Sequence, residues 1–171
     1  NDLAIIISGT GHRASQAYDT DPTRAAQLVV NYTVNAAPVN TVPAPQVTAL
    51  DTPLVFSTGN GNAIGVADSD DANVSVTLSA TNGLLTLSGL TGLSFSAGDG
   101  GADASMTFAG TLANVNAALN GLQFAPTAAF QGIATVQIGT TDLGAGGTST
   151  PKSDTDTITV EVGDVNNAPV N

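Results

Sequence analysis

Asp68-Ser69-Asp70-Asp71 places carboxylates at i and i+2 directly after the apolar run Ile64-Gly65-Val66. In extended chain alternate side chains point the same way, so Asp68 and Asp70 can turn toward one hard cation such as Ca²⁺ while Ser69 faces away. The EF-hand register is not met: counted from Asp68, the sixth position is Asn73 where that loop needs Gly, and the twelfth is Ser79 where it needs Glu. Two further acids close later apolar segments, in Asp142-Leu143-Gly144 and in Asp164-Val165-Asn166-Asn167-Ala168-Pro169.

Other chemistries find less to work with. His12 is the sole histidine and no serine or cysteine nucleophile motif accompanies it, so a loop residue is expected there and no enzyme. Gly9-Thr10-Gly11 and Gly59-Asn60-Gly61 do not open a helix, as a phosphate-cradling loop would. An isopeptide bond from Lys152 to an Asn would need an acid beside a buried lysine, whereas Lys152 sits in a Gly/Thr/Ser/Pro loop. Without cysteine, neither a disulfide framework nor a thiolate metal site can form.

The charge balance narrows the partners. Arg13, Arg24 and Lys152 face fourteen acidic residues, all Asp except Glu161, for a net charge of -11. Phosphate contact needs clustered Lys and Arg, so nucleic acid is excluded, and anionic membrane surfaces are disfavoured for the same reason. A solvated acidic surface that maintains solubility is the plain reading; short carboxylates gathered in Gly/Asn/Ser loops are the sharper one. The longest apolar run, Leu3 to Ile7, is far below the roughly 20 residues of a membrane span, and no basic-headed signal peptide begins the chain, so any export signal is expected outside it.

The elements that must position these residues read as short strands. They are Pro53–Ser57, Ile64–Val66, Asn73–Ala80, Leu84–Leu87, Leu93–Phe95, Ser105–Phe108, Leu122–Phe124, Ala134–Ile138 and Thr157–Val162, separated by Gly and Asn turns. Val74, Val76 and Leu78 alternate with polar residues, as do Ile158, Val160 and Val162, which predicts half-buried antiparallel strands in a two-sheet sandwich. Leu112, Val115, Leu119 and Leu122 instead follow a helical period, with Thr111 as cap and Asn120-Gly121 as stop, so one short helix is expected at about 112–120, closing an end of the core. Val34-Asn35-Ala36-Ala37-Pro38-Val39-Asn40 returns at the end as Val165-Asn166-Asn167-Ala168-Pro169-Val170-Asn171, changed only at Ala36. Proline extends its neighbours, so both copies read as linkers around one bead of a tandem array. The organisation is then residues 1–33 as a preceding piece, 34–40 as linker, 41–164 as the sandwich, and 165–171 as the next linker.

Two resemblances add to this. Ile5–Arg13, Ala17-Tyr18-Asp19 and Leu28–Thr33 resemble the closing strands of a jelly-roll module of secreted bacterial proteins, which implies open edges that pair with the main domain or with a second molecule. Asp51-Thr52-Pro53-Leu54-Val55-Phe56, Val66-Ala67-Asp68-Ser69-Asp70, Thr111–Leu122, Asp154-Thr155-Asp156-Thr157 and the closing Asn-Ala-Pro-Val resemble the cadherin-like repeats of large bacterial surface and secreted proteins. That likeness implies an all-β, antiparallel Greek-key (cadherin/Ig-like) sandwich, strung in tandem outside the cell, with Ca²⁺ stiffening the junctions. Position by position, it makes Asp68 and Asp70 the Asp-x-Asp pair, Asp142 the Asp-x-Gly acid, and Asp164 with Asn166 the linker ligands. Leu50 stands where a glutamate is common, and Thr33 and Ala36 stand at the first linker's counterparts of Asp164 and Asn167, so one weakly held ion at Asp68, Asp70 and Asp142 is expected in place of three.

The function expected is a non-catalytic extracellular spacer or adhesion repeat, with neighbouring repeats, another cell surface or a glycan as partners. A carbohydrate-binding or accessory module of a secreted hydrolase is the alternative. Sugar platforms use exposed aromatics, and the chain has no Trp and only Tyr18 and Tyr32, both ahead of the main domain.

Overall fold

The computed structural model describes residues 35–144 and 150–163; the jelly-roll-like segment 1–33 with its expected edge pairing, and the second linker copy 165–171, lie outside them. The described residues form a β-sandwich. Its larger sheet carries β2 (Gln46–Ala49), β11 (Ser153–Gly163), β10 (Gly132–Asp142), β5 (Asn73–Ala80), β8 (Ser105–Thr111) and β7 (Ser94–Ala97), in that order. The smaller sheet has the order β3 (Leu54–Phe56), β9 (Leu122–Pro126), β6 (Gly83–Thr86), and β1 (Val39–Thr41) pairs separately with β4 (Gly65–Ala67).

Alternation places the core. Val74, Val76 and Leu78 of β5, Met106 and Phe108 of β8, Ala134, Val136 and Ile138 of β10, and Ile158, Val160 and Val162 of β11 all turn inward. Phe56, Leu85, Leu122 and Phe124 meet them from the smaller sheet, in one continuous cluster. Burying side chains of this size contributes about 1.5–3 kcal/mol each, which makes the inward face the principal source of stability.

The helix α1 (Leu112–Leu119) forms where the period changes. Thr111 has extended backbone and its hydroxyl accepts the N–H of Asn114, satisfying one of the donors left open at a helix start. Val115, Ala118 and Leu119 plug the end of the core. Asn116, on the other side of the helix, donates to Val66 O and accepts Val66 N–H, both at 2.8 Å, so its carboxamide pairs with β4 as a strand would.

Three expectations need correction. The sheet is not wholly antiparallel, because β2 runs parallel to β11; alternation reports which face is buried and says nothing of strand direction. Strands β1 and β2 are not among the expected runs: β1 straddles the end of the 34–40 linker, and β2 follows Pro43 and Pro45 at the start of the 41–164 sandwich. Both lie at sheet margins, where a missing N–H removes no ladder bond. Lastly, residues 35–40 of the expected 34–40 linker are bound into the domain: Asn35 and Asn40 are buried, and Asn40 N–H donates to Asp154 while its Oδ1 accepts the hydroxyl of fully buried Thr140.

Candidate metal centre

The corner around β4 and the end of β10 gathers most of the acids singled out above. Asp68 follows β4 and folds its own loop: its Oδ1 accepts the N–H groups of Asp70 (3.0 Å) and Asp71 (2.9 Å). This is the habit of an aspartate whose short side chain mimics a turn. Asp70 Oδ1 accepts the N–H of Ala36 at 3.0 Å, which brings the entering chain against the loop. Asp71 Oδ2 accepts the N–H of Leu143, which joins the same loop to the end of β10.

After these bonds are made, oxygen remains. Asp68 Oδ2, Asp70 Oδ2 and Asn35 Oδ1 are buried and have no hydrogen-bond partner among the described residues. Asn35 is 6% exposed, and its Nδ2 is already committed to Asp142 Oδ2 (3.1 Å) and Thr150 O (3.0 Å), so the open oxygen is not an inverted amide. Asp68 and Asp70 are half-buried and Asn35 is buried, so the corner holds three side-chain oxygens shielded from solvent that no N–H or O–H of the described residues reaches.

Asp142 proves different from Asp68 and Asp70. It is 2% exposed, and its Oδ1 accepts the N–H groups of Gly144 (2.9 Å) and Lys152 (2.8 Å) while Oδ2 takes Asn35 Nδ2. Both of its oxygens are engaged, so it serves as a clamp between β10, the approach to β11 and the entering chain. Among the described residues no three Asp, Glu or His side chains converge as a ligand group. Asp164 and Asn166 lie outside the described residues. The side-chain oxygens left open at this corner are those of Asp68, Asp70 and Asn35; a Ca²⁺ ion bound there would need water or main chain to reach its usual six to eight oxygen ligands.

Lys152 also reaches this corner, where its Nζ donates to Asn35 O at 2.6 Å. An acid and an asparagine do stand together here, but the isopeptide chemistry is not assembled. Lys152 is exposed with its Nζ donating to a main-chain oxygen, and both oxygens of Asp142 already accept N–H groups, so neither is presented to the asparagine side chain as that bond requires.

Burial alone would raise the pKa of Asp68. The main-chain N–H groups of Asp70 and Asp71, then the Asp70 side chain and Ser69 N–H, outweigh it, and the net position is below the ordinary aspartate range. A carboxyl whose pKa is depressed on folding contributes stability above its unfolded pKa, about 3.9, that is lost as pH falls through the folded value. Melting curves across that acid window should show a component that disappears in Asp68→Asn. A variant whose acid limb matches the parent's would exclude the contribution.

Asn116 was not visible as a packing residue in the sequence, and Asn35 was marked only as the first-linker counterpart of Asn166; the partners of Asn35 are 107 and 115 positions away, beyond any local window. The sequence matches no family model and no curated protein. Among solved structures, one that resembles it is a cohesin module from a family 33 glycoside hydrolase of Clostridium perfringens, at 7% identity over 76% of this chain and 99% of that one, with a TM-score of 0.41. Likeness of that degree carries no argument about function.

Proposed function

We propose that the chain is a non-catalytic module of an extracellular protein, a cadherin-like spacer or adhesion repeat that takes one Ca²⁺ where the chain enters the sandwich. The observation that carries this is the trio of buried, unpartnered oxygens on Asn35, Asp68 and Asp70. They come from two segments far apart in sequence, joined by the Ala36 N–H to Asp70 bond. A divalent cation there offsets the repulsion between the two carboxylates and pins the entering strand to the loop. Stiffness at the join is the property that a spacer in a tandem array needs. Neighbouring repeats are the partners this reading implies, and millimolar extracellular calcium suits a site with few protein ligands. No helix among the described residues is long and apolar enough to cross a membrane.

An accessory module of a secreted hydrolase is the second reading. The cohesin module does come from a glycoside hydrolase, but at a likeness too low to decide the matter. Among the described residues no aromatic forms an exposed platform: Phe56, Phe108 and Phe124 are buried, and Phe95 and Phe130 pack against the core. Calorimetric titration of the full chain with calcium should give saturable one-site heat that Asp68→Asn and Asp70→Asn each abolish. Absence of heat at millimolar calcium removes the ion from the proposal. Tight binding of the full chain on a glycan array would transfer the assignment to the accessory module.

A further inference from the structure

We infer that Asn82-Gly83 is a site of spontaneous deamidation, and that the fold shields the two other Asn-Gly pairs of the chain, Asn60-Gly61 and Asn120-Gly121. In this reaction the main-chain nitrogen of the glycine, its proton taken by hydroxide, attacks the asparagine Cγ. The new C–N bond closes a succinimide while the Cγ–Nδ2 bond breaks, and the departing nitrogen takes a proton from water and leaves as ammonia, which regenerates the hydroxide. Water then opens the ring at either carbonyl, giving aspartate or isoaspartate. Glycine favours the attack because no Cβ crowds the nitrogen.

All three asparagines are exposed, so exposure does not rank them. Their side-chain bonds do. Asn60 Nδ2 donates to Val55 O at 3.0 Å, which holds the leaving group in place. Asn120 Oδ1 accepts Thr58 N–H at 2.9 Å and the Thr58 hydroxyl at 3.3 Å, which holds the carboxamide against a neighbouring loop. Asn82 has no side-chain hydrogen bond among the described residues, so its carboxamide is free to rotate toward Gly83.

Packing explains why so labile a pair stands there. Asn82 has φ 54°, a left-handed conformation that asparagine tolerates better than most residues. A Cβ on Gly83 would collide with the ring of buried Phe124, so no larger residue fits without displacing that ring. The site also joins the sheets: β5 belongs to the larger and β6 to the smaller, and Asn82 O accepts Thr127 N–H at 2.9 Å. Isoaspartate would insert a methylene into the main chain at this crossing and shift the register of Gly83 against Pro126.

The experiment ages the full chain at mildly alkaline pH, folded and in concentrated urea, and follows each site by peptide mapping that separates aspartate from isoaspartate. In the folded chain Asn82 should convert several-fold faster than Asn60 and Asn120, and in urea the three rates should converge. Equal rates in the folded chain would overturn the inference. So would the same ranking in urea, because the fold would then not be the cause.

Discussion

Calcium at a hundred times its dissociation constant is expected to raise the melting temperature of the full chain by roughly 8–16 °C over chelator. Mass action gives about 2.7 kcal/mol at that excess, and a domain of this size shifts by roughly 3–6 °C per kcal/mol. The source of the effect is specific. Asp68 Oδ2, Asp70 Oδ2 and Asn35 Oδ1 are buried acceptors without donors, and binding an ion supplies what the protein does not. Asp70→Asn should abolish the shift and yet leave the chain in chelator as stable as the parent, because an amide oxygen still accepts Ala36 N–H and one of two adjacent carboxylates is gone. Superimposable melting curves with and without calcium would refute the site.

The second large effect separates Asp142 from that pair. Asp142→Ala should cost about 3–5 kcal/mol in chelator as well as in calcium, since it leaves three donors, the N–H groups of Gly144 and Lys152 and the amide of Asn35, without their buried acceptor at about 1–3 kcal/mol each. Asp142→Asn, which retains a carbonyl oxygen for the two main-chain donors, should lose distinctly less. Were Asp142 an ion ligand and no clamp, the alanine variant would match the parent in chelator. Urea unfolding in the absence of metal makes the distinction directly.

Both predictions concern aspartates that look alike in the sequence. Asp68, Asp70 and Asp142 each come just after a strand-like run, and the cadherin-like resemblance assigns them to one ion. The fold keeps Asp68 and Asp70 with oxygen to spare and spends both oxygens of Asp142 on N–H donors. The deciding residues are Asn35 and Lys152, and nothing local to Asp142 announces that either will arrive beside it.

Features that are local and periodic were legible in the residues themselves. Period-two alternation marked β5 at Asn73–Ala80, residue for residue, and the switch to a helical period marked α1, with Thr111 as its cap. Inward-facing Val, Leu, Ile and Phe on successive strands then leave little choice but two sheets around one core, because each face must be covered. Three other matters arose only on folding. The direction of β2 against β11 depends on where the chain turns, and pairing energy differs little between parallel and antiparallel strands. The segment at 35–40, extended by its proline, joined the domain because Asn35 and Asn40 found buried partners beyond any local window. The division of the acids into two with open oxygens and one clamp followed from which N–H groups converge on each. A hydrogen bond between residues 107 positions apart leaves no trace in the composition or periodicity of either segment, so that part of the site exists only in the folded chain.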